Sequence, residues 1–329
     1  MSIEIIKSQI DKFLGSETPE VMVIKGKWGV GKTYSWNKFL LEAKNNNRIK
    51  LKKYSYVSLF GINSLDAFKY AIFENVVDQK LIGTEATIET FTNNFGSVSK
   101  SVGTKVLDLF KSKSTTHAIE SLAFLSLSNI IICIDDLERT RANLFPKDVL
   151  GLVSLLKEQK KCKVVLLLND GEDGLEDYVK YREKVIDFEM EFSPTAAESA
   201  KIAFDGTELS SFAVKVLKES SVKLNIRNIR VLKKIERLIK LVIPYLAEYE
   251  QEITDQVIQS LVLFSWCYYC EKSDGAPPLS FVITLEYSLL FGISIETEDS
   301  DEHKKWKPTI SEYGYLLIDE LDLLDMFRH

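Results

Sequence analysis

Cysteine and histidine are scarce, four and three in 329 residues. Four cysteines are too few for a disulfide framework in a chain this long. Cys133 lies inside an apolar run that reads as a buried strand, so reduced thiols are expected. Cys267 and Cys270 form one C-x-x-C with no second pair, and His117, His303 and His329 are scattered. With Leu261-Val262-Leu263-Phe264-Ser265-Trp266 just before them, two thiols on one face of a buried helix account for the pair better than a metal or redox site. An excess of positive charge is also missing: 42 Lys and Arg face 48 Asp and Glu, for a net charge of −6. Net charge therefore gives no argument for nucleic acid or an anionic membrane surface, and leaves only a local basic patch open. No run reaches the about 18 apolar residues of a membrane span, and Met1-Ser2-Ile3-Glu4 lacks a basic n-region, so a cytoplasmic protein is expected. What is present, 45% hydrophobic and 27% charged residues, suffices for one large domain plus a smaller one.

The most informative stretch is Gly26-Lys27-Trp28-Gly29-Val30-Gly31-Lys32-Thr33, a complete phosphate-binding loop. A triphosphate is wrapped by backbone N–H groups, which demands glycines that bend without a Cβ, here Gly26, Gly29 and Gly31. Lys32 would then reach the β- and γ-phosphates of ATP and the Thr33 hydroxyl would ligate Mg2+, both at the positive N-terminal end of a helix. Trp28, Val30 and Tyr34 complete the expected nucleotide-contacting set.

The loop sits between an apolar strand, Val21-Met22-Val23-Ile24, and a helix starting near Lys32. Ahead of it, residues 3–14 read as an amphipathic helix beside the nucleotide site, with Ile3, Ile6, Ile10, Phe13 and Leu14 on one side. Tyr54 to Phe60 reads as a strand ended by Gly61, followed by a helix with Leu65, Phe68, Ile72 and Val76 at helical spacing. A polar segment, 84–116, comes next. Asn129 to Ile134 and Lys163 to Leu168 are continuous apolar runs of the kind covered by helices on both faces, with a helix carrying Val149, Leu152, Val153, Leu155 and Leu156 between them. A last strand is placed at Lys184 to Phe188. The fold class is therefore α/β, a parallel sheet with helices on both faces, followed by a mainly helical region. That region includes the run Ile226, Ile229, Leu232, Ile235, Leu238 and Val242, limited by Pro244, and ends in an acidic run from Glu296 to Glu302 read as a solvated loop. The expected divisions are 1–192 (P-loop NTPase core), 193–245 (helical lid) and 246–329 (mainly helical C-terminal region).

Asp135 directly follows an apolar strand, where a carboxylate must stand to hold Mg2+ opposite the loop lysine. Asp136 is the leading candidate for the base that activates water, and Glu138 is its rival. Asn169, at the end of the next strand, would hold the attacking water or the γ-phosphate, or else simply form a turn with Asp170-Gly171. Arg139, Arg141, Arg227 and Arg230 are candidates for stabilising transition-state charge, in cis or across subunits, against the plainer reading of surface or ion-pair arginines. Asn169-Asp170-Gly171-Glu172 is not the Asn-Lys-x-Asp that reads guanine, which favours ATP over GTP.

These residues resemble the KAP group of P-loop NTPases, a branch related to the AAA+ and STAND ATPases. The loop has that group's Trp-Gly-x-Gly-Lys-Thr form, and Ile134-Asp135-Asp136-Leu137-Glu138-Arg139 is similar to its Asp-Asp-Leu-Asp-Arg element, with Glu138 in place of the last Asp. Tyr56-Val57-Ser58-Leu59-Phe60-Gly61 looks like the second-strand region of bacterial members. The resemblance implies an extra strand between the loop strand and the metal strand, a helical lid and Mg2+-dependent ATP hydrolysis. It also implies a role beside a sensor or effector, as in bacterial relatives associated with phage defence. Many members carry membrane helices between the two motifs, whereas the segment here is polar. The reading favoured is an ATP-hydrolysing switch or motor, as a homo-oligomer or with a partner protein. A slow-turnover, nucleotide-controlled interaction module is the alternative, and a small-molecule kinase is weaker because the acidic pair suits water activation.

Overall fold

In the computed structural model, residues 3–83, 124, 127–140, 144–169, 176–270, 275–283 and 301–314 are described. The polar segment 84–116 and Arg141 lie outside them. The chain divides into two compact units, Met1–Ser193 and Pro194–His329.

In the first unit, helix α1 (Ile3–Leu14) precedes β1 (Val21–Gly26) and α2 (Lys32–Asn45). β2 (Lys53–Ser58), α3 (Leu65–Glu74) and the two-residue β3 (Val77–Asp78) follow, then β4 (Ile130–Asp135), α4 (Pro146–Glu158), β5 (Lys163–Asn169), α5 (Glu176–Val185) and β6 (Phe188–Glu191). The six strands form one sheet in the order β3-β2-β4-β5-β1-β6, parallel except for β3. β5 is thus the strand inserted between the loop strand β1 and β4, the strand that ends in Asp135.

Alternation along each strand sorts the side chains between two layers. Met22, Ile24, Ile131, Cys133, Val165 and Leu167 point to the side where α1 and α2 contribute Ile6, Ile10, Trp36 and Phe39. Val21, Val23, Ile130, Ile132, Ile134, Val164 and Leu166 point to the other, where α3, α4 and α5 contribute Phe68, Ile72, Val149, Val153 and Tyr178. Covering both faces explains why β4 and β5 are unbroken apolar runs. Lys163 is the exception: its ammonium is buried, donates to the Thr18 carbonyl at 2.8 Å and to Glu20 at 3.1 Å, and lies 4.3 Å from the Phe13 ring. It thereby pins the connection between α1 and β1 to the sheet.

Two expectations need correction. The last strand is Phe188–Glu191, because Lys184 and Val185 close α5. Tyr178, Tyr181 and Val185 recur at i, i+3 and i+7 and pack on the core, a helical spacing hidden among charged residues. Val76 lies beyond α3, buried just ahead of β3.

The second unit has α6 (Ala196–Ala203), α7 (Ser211–Lys223), α8 (Ile229–Val242), α9 (Gln251–Cys270) and α10 (Asp301–Tyr313), with no strand among the described residues. The side chains of Thr195, Ser210 and Asn228 cap the first three by accepting from exposed backbone N–H groups. Leu217, Leu232, Ile235, Ile239, Ile258, Val262 and Cys267 share one core. Cys267 and Cys270 are both buried on α9. Of the acidic run expected as a loop, Asp301 and Glu302 belong to α10, and residues 296–300 lie outside the described residues. Among the described residues no helix is long and apolar enough to cross a membrane.

Gly26 and Gly151 make a matched test of this packing. A Cβ on Gly26 would stand 2.3 Å from the Phe192 carbonyl oxygen, whereas one on Gly151, within α4, meets nothing within 4 Å. Gly26→Ala is expected to lower the unfolding free energy by about 1–3 kcal/mol. Gly151→Ala should raise it by about 0.5–1 kcal/mol, both read by urea denaturation.

Candidate nucleotide site

The parallel order brings the C-terminal ends of four strands into line. Gly26 pairs with Asn169, Leu167 with Asp135, and Asp135 with Ser58. The loop leaves β1 over this edge and turns into α2. Gly29 and Gly31 have φ of 80° and 94°, left-handed conformations that a side chain disfavours, and Gly31 stands at the N-cap of α2. Gly26 instead serves by close approach, tight against the backbone at Phe192.

Lys32 is buried and donates to the carbonyls of Gly26 at 2.7 Å and Lys27 at 3.0 Å, and to the Asn169 side-chain oxygen at 2.7 Å. The amide nitrogen of Asn169 donates to Glu138, and its backbone N–H lies 3.5 Å from the same carboxylate. Glu138 therefore orients Asn169 so that its oxygen faces the lysine. The first helical turn also directs the Thr33 hydroxyl to Asp135 Oδ2 at 2.7 Å, and Tyr56 on β2 donates to the same oxygen at 3.0 Å. The second oxygen, Oδ1, accepts from the Asp136 backbone N–H at 2.9 Å.

Burial pushes the Asp135 carboxyl above the ordinary carboxylate range; the Thr33 hydrogen bond opposes that rise and the nearby Asp136 charge adds to it. Burial, then the Asp135 charge, also raises the Tyr56 phenol, so Tyr56 remains a donor. A buried carboxylate penalised for its charge and touching the Thr33 hydroxyl is the donor set a hard divalent cation such as Mg2+ requires. The site residues present thus fit that ion.

Asp136 has φ 61° and ψ 39°, a left-handed conformation that Asp tolerates. Its carboxylate faces β2, accepting from the Ser58 hydroxyl at 2.7 Å and pairing with Arg139 Nε at 3.3 Å. The two rival acids thus point apart, Asp136 to β2 and Glu138 to β5. The Arg139 guanidinium lies 4.1 Å from the ring centre of Trp28 and 5.1 Å from that of Phe60. Val30 is buried; Tyr34 and Trp28 are exposed. Arg227 and Arg230 belong to the second unit, where both are exposed and Arg227 donates to Asn225 at 3.1 Å.

Sequence reasoning gave Tyr56 and Ser58 no role. The available signal was that Tyr54, Tyr56 and Ser58 share one face of an alternating strand, two of them polar at its C-terminal end.

A carboxyl whose pKa is raised on folding contributes stability that is fully present below its unfolded-state pKa and lost as pH rises through the folded value. Asp135→Asn removes that loss. In Mg2+-free buffer its thermal midpoint relative to the wild type should therefore increase as pH rises above about 4, measured by calorimetry. A pH-independent difference would show that Asp135 ionises without penalty.

Among structures, the chain is similar to Drosophila ORC bound to DNA (11% identity, 99% of this chain and 77% of that chain, TM-score 0.42). It is likewise similar to Aeropyrum pernix ORC1 in complex with DNA (14%, 98% and 82%, 0.45) and to Cdc6p from Pyrobaculum aerophilum (14%, 99% and 84%, 0.44). No curated protein matches the sequence. The family model of the KAP P-loop domain matches residues 3–242, most of the chain and the whole of the site just described. The chain belongs to the KAP family of P-loop NTPases.

Proposed function

We propose that this protein hydrolyses ATP with Mg2+ and uses the cycle as a conformational switch or motor. The observation that carries the reading is the convergence of Lys32, Asn169 and Glu138 on one side and Thr33, Asp135 and Tyr56 on the other, around one strand edge.

In this reading Lys32 exchanges neutral oxygens for the β- and γ-phosphates of ATP, a stronger, charge-assisted pairing. Thr33 and Asp135 hold Mg2+, which neutralises phosphate charge when bound. Tyr56 keeps the Asp135 carboxylate aimed at that position. Glu138 positions Asn169, whose amide would hold the γ-phosphate or the attacking water. Asp136 serves as the base, after its carboxylate turns from Ser58 and Arg139 toward the phosphate. Gly26, Trp28, Gly29, Val30, Gly31 and Tyr34 make up the rest of the nucleotide cradle.

The domain assignment proposed with it is 1–192 as NTPase core, 193–245 as lid and 246–329 as the region that passes nucleotide state to a partner or a further copy of the chain. Likeness to bacterial family members supports a cytoplasmic role in phage defence, which loss of protection in cells carrying Lys32→Ala would test. One observation favours slow basal turnover and the reading as a nucleotide-controlled interaction module: both candidate acids are engaged, Asp136 by Ser58 and Arg139, Glu138 by Asn169.

Phosphate release from ATP and GTP across protein concentration tests the reading. Lys32→Ala and Asp136→Asn should each reduce ATP turnover by about 100-fold or more, Asp136→Asn with ATP binding retained. More turnover lost in Glu138→Gln than in Asp136→Asn would transfer the base to Glu138. Tight ATP binding without turnover at any concentration would leave the interaction module standing. Tyr56→Phe should raise the Mg2+ concentration for half-maximal turnover by roughly tenfold, and an unchanged Mg2+ dependence would remove Tyr56 from the site.

A further inference from the structure

Arg139 holds an unusual position for a candidate transition-state arginine. Its guanidinium lies against two rings, Trp28 of the phosphate loop at 4.1 Å and Phe60 beyond β2 at 5.1 Å. Its Nε is 3.3 Å from Asp136 Oδ1, and its backbone N–H donates to the Asp136 carbonyl at 2.9 Å. The circuit closes through Ser58, whose hydroxyl donates to Asp136 Oδ2 at 2.7 Å and accepts from the Phe60 N–H at 3.2 Å.

Both rings are large apolar groups left substantially in solvent, Trp28 at 42% and Phe60 at 65% exposure, and the Arg139 side chain is 26% exposed. A flat cation is suited to such a place: it stacks on an aromatic face while its edge pairs with a carboxylate, which an ammonium cannot do at once. Trp28 is also the one aromatic residue of the loop from Gly26 to Thr33, so a contact on its ring acts on the loop itself.

We infer that Arg139 is a positioning residue that couples Trp28 of the phosphate loop to Asp136, so that a rearrangement of the loop on nucleotide binding is transmitted to the carboxylate. The inference rests on the ATPase reading only in giving Asp136 a role in turnover; the coupling itself concerns nucleotide binding. Loop, arginine and acid move as one unit: while Trp28 stays stacked, Arg139 keeps Asp136 on the β2 side, and a shift of Trp28 loosens that hold. Arg139→Lys separates the two functions of the side chain, since lysine retains the charge facing Asp136 and loses the flat face presented to Trp28.

The experiment combines nucleotide titration followed by tryptophan emission, with Trp28→Phe subtracted to isolate the Trp28 signal, and a double-mutant cycle on turnover. Wild type is expected to change Trp28 emission on adding ATP and Mg2+, and Arg139→Lys to lose most of that change while binding a fluorescent ATP analogue within about threefold of wild type. Arg139→Lys and Trp28→Leu should each lower kcat by about 10- to 100-fold, and the double variant should lose no more than the worse single one. Losses that multiply in the double variant, or an emission change intact in Arg139→Lys, would overturn the coupling and leave Arg139 to act on the phosphate directly. If wild type binds nucleotide without turnover, the hydrolysis reading fails alone and the emission change decides the coupling by itself. Absence of nucleotide binding in wild type overturns both.

Discussion

A buried ammonium sets the terms for the phosphate site. Lys32 is held by three oxygens of neutral groups, two from the loop it closes and one from Asn169. Burying an ammonium is costly, and these hydrogen bonds offset part of that cost. Placing them requires a loop that folds back on itself, hence left-handed Gly29 and Gly31, and a strand between β1 and β4 whose last residue reaches the lysine. The neighbouring carboxylate Asp135 has the converse problem, a buried negative charge stabilised by hydroxyls. Both charges are hydrogen-bonded at one sheet edge, an arrangement suited to accepting a phosphate on one side and a cation on the other.

Much of this was readable from local spacing. The phosphate loop is contiguous, so its residues could be named without knowing any long-range contact. The runs at β4 and β5 announced themselves because both faces of those strands are covered, and Asp135 and Asn169 followed as the residues at their ends. What sequence could not supply was register. Tyr56 and Ser58 acquire their importance only because β2 lies beside β4 with Ser58 opposite Asp135. The split between Asp136 and Glu138 is likewise invisible in a motif that sets them two residues apart. Left-handed backbone at Asp136 and one 3-10 turn after it send the two side chains toward different strands. The displaced β6 had another cause: the stripe on α5 consists of buried Tyr178 and Val185 with half-buried Tyr181, too thin to outweigh the apparent strand character of Lys184 to Phe188.

The two units differ in how they bury polarity. In the first, Lys32 and Asp135 are buried at the sheet edge beside half-buried Thr33 and Asn169, and Lys163 is buried at the other end of β5 against Thr18 and Glu20. In the second, Glu236 sits within α8 and is satisfied by Thr207, Lys233 and Lys240. Burial works against its ionised form, yet these hydrogen bonds hold its carboxyl below the ordinary range. Buried charge in the first unit thus stands at both ends of β5's neighbourhood, whereas Glu236 is neutralised by two lysines of its own helix.

Gly26 and Phe192 carry a mechanical implication. The Phe192 N–H donates to the Lys25 carbonyl at 2.7 Å, and its own carbonyl presses on Gly26 so closely that no side chain fits between. Phe192 is also the residue before Ser193, the last of the first unit. The polypeptide therefore departs from that unit at a point fastened to the root of the phosphate loop. A change that moves Phe192 is therefore felt at Gly26 and one that moves Gly26 at Phe192, because only backbone atoms stand between them.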